Sequence, residues 1–168
     1  MYTKKFSDKD LISLAWFEQS CQDFIAAEWL MRGKIFEYVC FFCSQSAEKA
    51  LKGFLFYKQC KGTKRHNLAM LLHCAEKFNK ELKNLSRHIQ RLNGYYLYTR
   101  YPLFDHNTLL GHEIFNTRKE AINAITSSKI VLDRIISLLS KELASKVEEF
   151  YIESVRKTNL SRSLFNEK

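Results

Sequence analysis

Residues Phe41 to Cys60 read FFCSQSAEKALKGFLFYKQC. Together with Val39, the residues Cys43, Ala47, Ala50, Phe54 and Tyr57 recur at steps of three or four, the spacing that lines one face of an α-helix. Ser46, Ala47, Ala50 and Gly53 are small, so a neighbouring helix can approach closely. That explains a helix-interior glycine despite its cost of about 1 kcal/mol. The opposite side carries Gln45, Glu48, Lys49 and Lys52, with Glu48 and Lys52 spaced as an i,i+4 pair worth a few tenths of a kcal/mol when exposed. The spacing predicts a central helix from about Ile35 to Lys61, stopped by Gly62.

Outward from this helix, the chain keeps the helical period. Ser7 and Asp10 are placed to open a helix over Leu11 to Met31, whose stripe includes Leu14, Phe17, Cys21 and Phe24, with Gly33 suited to a left-handed C-terminal cap. Asn67 can cap a short helix from Leu68 to about Phe78. Leu85, Ile89, Leu92 and Tyr96 mark another, ending near Arg100 because Pro102 disfavours helical geometry at Tyr101. Tyr101 to Asn116 lacks a period and reads as a loop. Thr117 and Glu120 have capping-box spacing, and a stripe from Ala121 through Leu132 and Leu139 to Phe150 predicts one long closing helix. The expected fold is all-α, an up-and-down bundle of four to five helices with a long C-terminal helix. One domain is expected over residues 1–153, followed by a polar tail over 154–168.

Composition agrees with that reading. One proline and five glycines in 168 residues leave few turns, and 46% hydrophobic residues supply a core. The five cysteines are an odd number and MYTKKFSDKD holds no signal-type apolar run, so a reducing, cytoplasmic setting is expected. No run of 18 apolar residues is present, so no membrane partner is expected. Formal net charge is +9, and Lys34 to Arg91, with 12 Lys/Arg against four Asp/Glu, holds +8 of it. Focused positive charge attracts polyanions such as RNA or nucleotide phosphates.

Several chemistries lack their residues. There is no GxSxG, GxxxxGK[ST] or GxGxxG, and the five histidines form no zinc-type array, so neither metal nor cofactor is expected. Cys40 and Cys43 form a CxxC, but inside a helix and close to its buried stripe, where a structural role fits better than a redox one. In NGYYLYTRYP, Tyr95, Tyr96, Tyr98 and Tyr101 surround Arg100. An arginine can hold a phosphate while a ring stacks on a base; the alternative is that Tyr96 and one neighbour fill the core.

QSAEKALKGFLFYKQ, a basic connector, HNLAMLL, YYLYTRYP and a long closing helix follow one another in an order that resembles the HEPN domain (higher eukaryotes and prokaryotes nucleotide-binding). The likeness is to the branch at the C-terminus of sacsin and to small stand-alone prokaryotic members. It implies a helical bundle, frequently a homodimer, binding nucleotide or RNA, with an antitoxin or nucleotidyltransferase as a possible partner. Many members are ribonucleases with an Arg-x(4–6)-His motif, a spacing that Arg100 and His106 have here. Tyr101-Pro102 departs from the ribonuclease form, which carries a polar residue after the arginine. The leading expectation is therefore a non-catalytic module binding phosphates through Gln45, Lys49, Lys52, Lys64, Arg65, Tyr98, Arg100 and Tyr101. The alternatives are a metal-independent ribonuclease of toxin or defence type, with His106 as general base and Arg100 stabilising the transition state, and a homodimeric interaction module that binds no nucleotide.

Overall fold

A computed structural model describes residues 6–60, 66–100, 103–105, 108–110 and 117–165, with side chains described for 6–60, 66–96 and 117–158. Helix α1 spans Asp8–Arg32 and α2 spans Phe36–Tyr57. Leu68–Glu76 forms α3, a 3-10 turn covers Lys80–Leu85, and α4 runs Ser86–Arg100. Strands β1 (Leu103–Asp105) and β2 (Thr108–Leu110) pair antiparallel, Leu103 opposite Leu110. Helix α5 spans Arg118–Ile136 and α6 spans Lys141–Phe165. The fold is an all-α bundle carrying one small ribbon.

The helix predicted to be central is so: α2 packs against α1, α3, α4 and α5. Its Val39, Cys43, Ala47, Ala50 and Phe54 are fully buried. The α1–α2 seam is tight because its residues are small. Ser13 Oγ donates to the Gly53 carbonyl at 2.9 Å, and Ser20 Oγ to the Ser46 carbonyl at 2.7 Å. Buried hydroxyls are thereby satisfied by backbone oxygens of the facing helix.

Caps fix most helix starts where the sequence places them. Ser7 Oγ donates to Asp10 at 2.6 Å, Asn67 accepts from the Met70 amide at 3.0 Å, and Thr117 Oγ1 accepts from the Glu120 amide at 3.2 Å. The helix ends differ from expectation. Gly33 has right-handed geometry, and Lys34 takes the left-handed position with φ 59°. Likewise α2 stops at Tyr57, well before Gly62, because Gln59 turns left-handed at φ 55°. In both turns the last carbonyls are closed by the same bond pair, Ile35 N–H to Leu30 and Lys34 N–H to Met31, then Cys60 N–H to Leu55 and Gln59 N–H to Phe56. These are Schellman caps built without glycine at the usual position.

Two further expectations are corrected, and the C-terminal segment is largely helical. The single closing helix is two, because Ser137 Oγ folds back on the Arg134 carbonyl and Ser140 Oγ accepts the Leu143 amide, capping a new start. The segment from Ser154 expected as a tail continues α6 to Phe165. Part of the Tyr101–Asn116 loop is the β1–β2 ribbon.

Candidate nucleic-acid interface

The polar face of α2 is tied into the protein. Lys52 is only 4% exposed and donates to Glu48, 5% exposed, at 2.8 Å. Its ammonium also lies 5.1 Å from the ring centroid of Trp16, which stacks on Phe56. His66 Nδ1 meets the same Glu48 oxygen at 3.0 Å, so Glu48 ties the α2 ammonium to the start of the α3 segment. The i,i+4 pair of the polar face is thus a buried one, closed off by the indole from α1. Lys49 pairs across the seam with Asp23 at 2.6 Å. Burial raises the Asp23 carboxyl more than the adjacent Lys49 ammonium lowers it, with Glu48 raising it further. Gln45 Nε2 is buried with no hydrogen-bond partner among the described residues.

Tyr95, rather than Tyr96, enters the core, and its hydroxyl donates to Glu120 at 2.8 Å. Burial, followed by that hydrogen bond, pushes the phenol pKa up. Glu120 stands two residues past Arg118, which shares a cleft with Phe36 at the start of α2, so Tyr95 lies toward the N-terminal end of α2. Asn93 accepts from the Leu68 amide at 2.8 Å, near the His66–Glu48 contact, so α4 runs antiparallel to α2. Lys52 stands toward the C-terminal end of α2 and Arg100 at the C-terminal end of α4, so the two positions lie toward opposite ends of the bundle. Tyr98 and Arg100 lie on the last turn of α4 with side chains outside the described residues, as are Lys64, Arg65, Tyr101 and His106 altogether.

Charge counting pointed to a basic region without naming its exposed members. Lys77, Lys80 and Lys83, all exposed, line a hollow of about 270 Å³ with His73 and Glu76. Among the described residues no carboxylate pairs with any of the three lysines, whereas Glu81 pairs with Arg134. Further along α4, Arg91 donates to buried Ser127 at 3.3 Å, and His88 Nδ1 lies 3.2 Å from the same hydroxyl. A separate apolar cavity of about 490 Å³ lies between α1, α5 and α6, walled by Phe24, Leu132, Ile136, Val147 and Tyr151. It holds no cationic cluster, since Lys129 at its rim is paired with Asp133.

No group of three or more His, Cys, Asp or Glu among the described residues can hold a metal. No described helix is long and apolar enough to cross a membrane. Burial pushes the Cys21 and Cys40 thiols up to about 12 and raises Cys43 well above its ordinary value, so the CxxC is held protonated.

The HEPN domain model matches residues 13–143. The chain belongs to the HEPN domain family. Two solved structures share the HEPN fold seen here. TT1696 from Thermus thermophilus is 23% identical with a TM-score of 0.63, covering 82% of this chain and 97% of that one. ST0689, described as an archaeal HEPN homologue, is 23% identical with a TM-score of 0.58, covering 73% of this chain and 93% of that one. No curated protein matches. In this HEPN chain the matched region takes in α2, the basic connector, α3, α4 and α5, and stops early in α6.

Proposed function

We propose that this HEPN module binds single-stranded RNA along its basic side without cleaving it. The observation that carries the reading is the hollow of Lys77, Lys80 and Lys83, exposed and without carboxylate partners among the described residues. Three lysines on one hollow suit a run of phosphates, and the sequence adds Lys64 and Arg65 of the connector and the tyrosines Tyr98 and Tyr101 beside Arg100, a pairing that suits an unpaired base. Lys49 and Lys52 leave the proposed contact set because each is already engaged inside the protein.

Fluorescence anisotropy with a labelled single-stranded RNA tests this across a salt series. Binding is expected at low salt, with log K falling against log salt by about 0.7 per phosphate contact. Lys77→Ala, Lys80→Ala and Lys83→Ala combined should lower that slope by about 2. Absence of binding at low salt would refute the reading. RNA intact after incubation supports binding alone, while cleavage abolished by Arg100→Ala and His106→Ala would support a ribonuclease. The family resemblance also implies self-association, which light scattering measures directly.

A further inference from the structure

An open cleft of about 650 Å³ lies where α1 turns into α2, lined by Met31, Arg32, Lys34, Phe36 and Arg118. Three cations from three places converge on it: the last turn of α1, the connecting turn and the first turn of α5. None of the lining residues is acidic, and among the described residues none of the three cations forms an ion pair with a carboxylate. Arg32 is steadied by the Trp29 ring, 4.6 Å from its guanidinium carbon. Two features of the cleft are electrostatically or sterically unfavourable in isolation. Arg118 and Lys119 open α5, where the helix dipole favours acidic residues and bound anions. Lys34 holds a left-handed backbone that suits glycine, although Gly33 is its neighbour. A bound anion offsets the first, and use of the Lys34 ammonium accounts for the second.

We propose that this cleft takes the terminal phosphomonoester of an RNA strand. A monoester carries close to two negative charges at neutral pH, against one for each internal phosphate. Three converging cations at a helix N-terminus discriminate in favour of the more highly charged group. Half-buried Phe36 beside them offers a face to the terminal base. The proposal rests on the RNA-binding reading but uses residues other than the Lys77, Lys80 and Lys83 that carry it, since the cleft lies where α1 turns into α2.

Short RNAs of one sequence, bearing a 5′-phosphate, a 3′-phosphate or hydroxyls at both ends, test it by anisotropy. One phosphorylated form should bind about tenfold tighter than the hydroxyl form, and the two arms identify which end is read. Lys34→Gly and Arg118→Ala should each erase that preference, and Lys34→Gly should do so while raising thermal stability. Equal affinity of all three RNAs, or a preference that survives both substitutions, would overturn the proposal and leave the basic-side reading intact. Should no RNA bind, the basic-side reading fails and calorimetry with adenosine 5′-monophosphate decides the cleft. Binding lost in both variants sustains the monoester site, and no heat of binding removes it.

Discussion

Gly53 of α2 lies flat against the ring of Phe17 from α1: a Cβ at position 53 would stand 2.9 Å from Phe17 Cε2. Phe17 is fully buried and cannot move aside freely. In an exposed helix, glycine to alanine gains about 1 kcal/mol. Here overpacking wins, and Gly53→Ala is expected to destabilise by about 1–2 kcal/mol net. Urea unfolding measures it; a gain in stability would show that the helices can part without cost.

The buried Glu48–Lys52 pair has a distinctive mutational signature. Lys52→Met leaves Glu48 with only His66 and should cost about 3 kcal/mol. Glu48→Gln with Lys52→Met should cost clearly less than the two single losses added together, since neither charge is then stranded. A double-mutant cycle by denaturant unfolding reads the coupling. Simple additivity would mean the pair is effectively solvated.

His88 makes stability depend on pH. Burial lowers its pKa, and Arg91 and Arg87 lower it further, so the folded protein disfavours the imidazolium. The unfolded chain then binds more protons than the folded one. The His88 contribution is full above the ordinary histidine range and is lost as pH falls from there toward the lowered folded value. The fall in melting temperature between about pH 7.5 and pH 5 should be smaller in His88→Gln than in the parent. An identical fall in both would assign the pH dependence elsewhere.

Thiol reactivity should divide the five cysteines. Cys21, Cys40 and Cys43 are buried, with pKa values raised by desolvation, while Cys60 and Cys74 are partly accessible. Iodoacetamide on the native protein, followed by peptide mass mapping, should label Cys60 and Cys74 first. Rapid labelling at Cys40 or Cys43 would restore the CxxC as a candidate redox pair.

What the sequence made legible was whatever depends on local period and composition. The α2 stripe, the caps at Ser7, Asn67 and Thr117 and the need for a small residue at position 53 follow from spacing and side-chain size. The fate of Lys52 did not, because an i,i+4 pair looks the same whether Trp16 of another helix covers it or water does. Tyr96 was preferred over Tyr95 because consecutive aromatics leave helix phase ambiguous, and the partner Glu120 lies 25 residues away. Ser137 and Ser140 lie beside stripe residues Ile135, Leu139 and Leu143, which keep the helical step, so periodicity carried the helix through a break made by hydroxyl caps. Of the candidate site, the excess charge was legible and its distribution was not. Exposure of Lys77, Lys80 and Lys83, against burial of Lys52, is decided by tertiary packing alone.

The break at Ser137–Ser140 falls just before the HEPN match ends at residue 143. Almost all of α6 therefore lies beyond the matched region, folded back across α1 through Val147 and Tyr151 beside Phe24 and Cys21. A bundle ending at α5 would leave that side of α1 as an outer surface. Here α6 turns it into an interior wall, so the burial of Phe24 and Cys21 depends on a helix that lies almost wholly beyond the matched region.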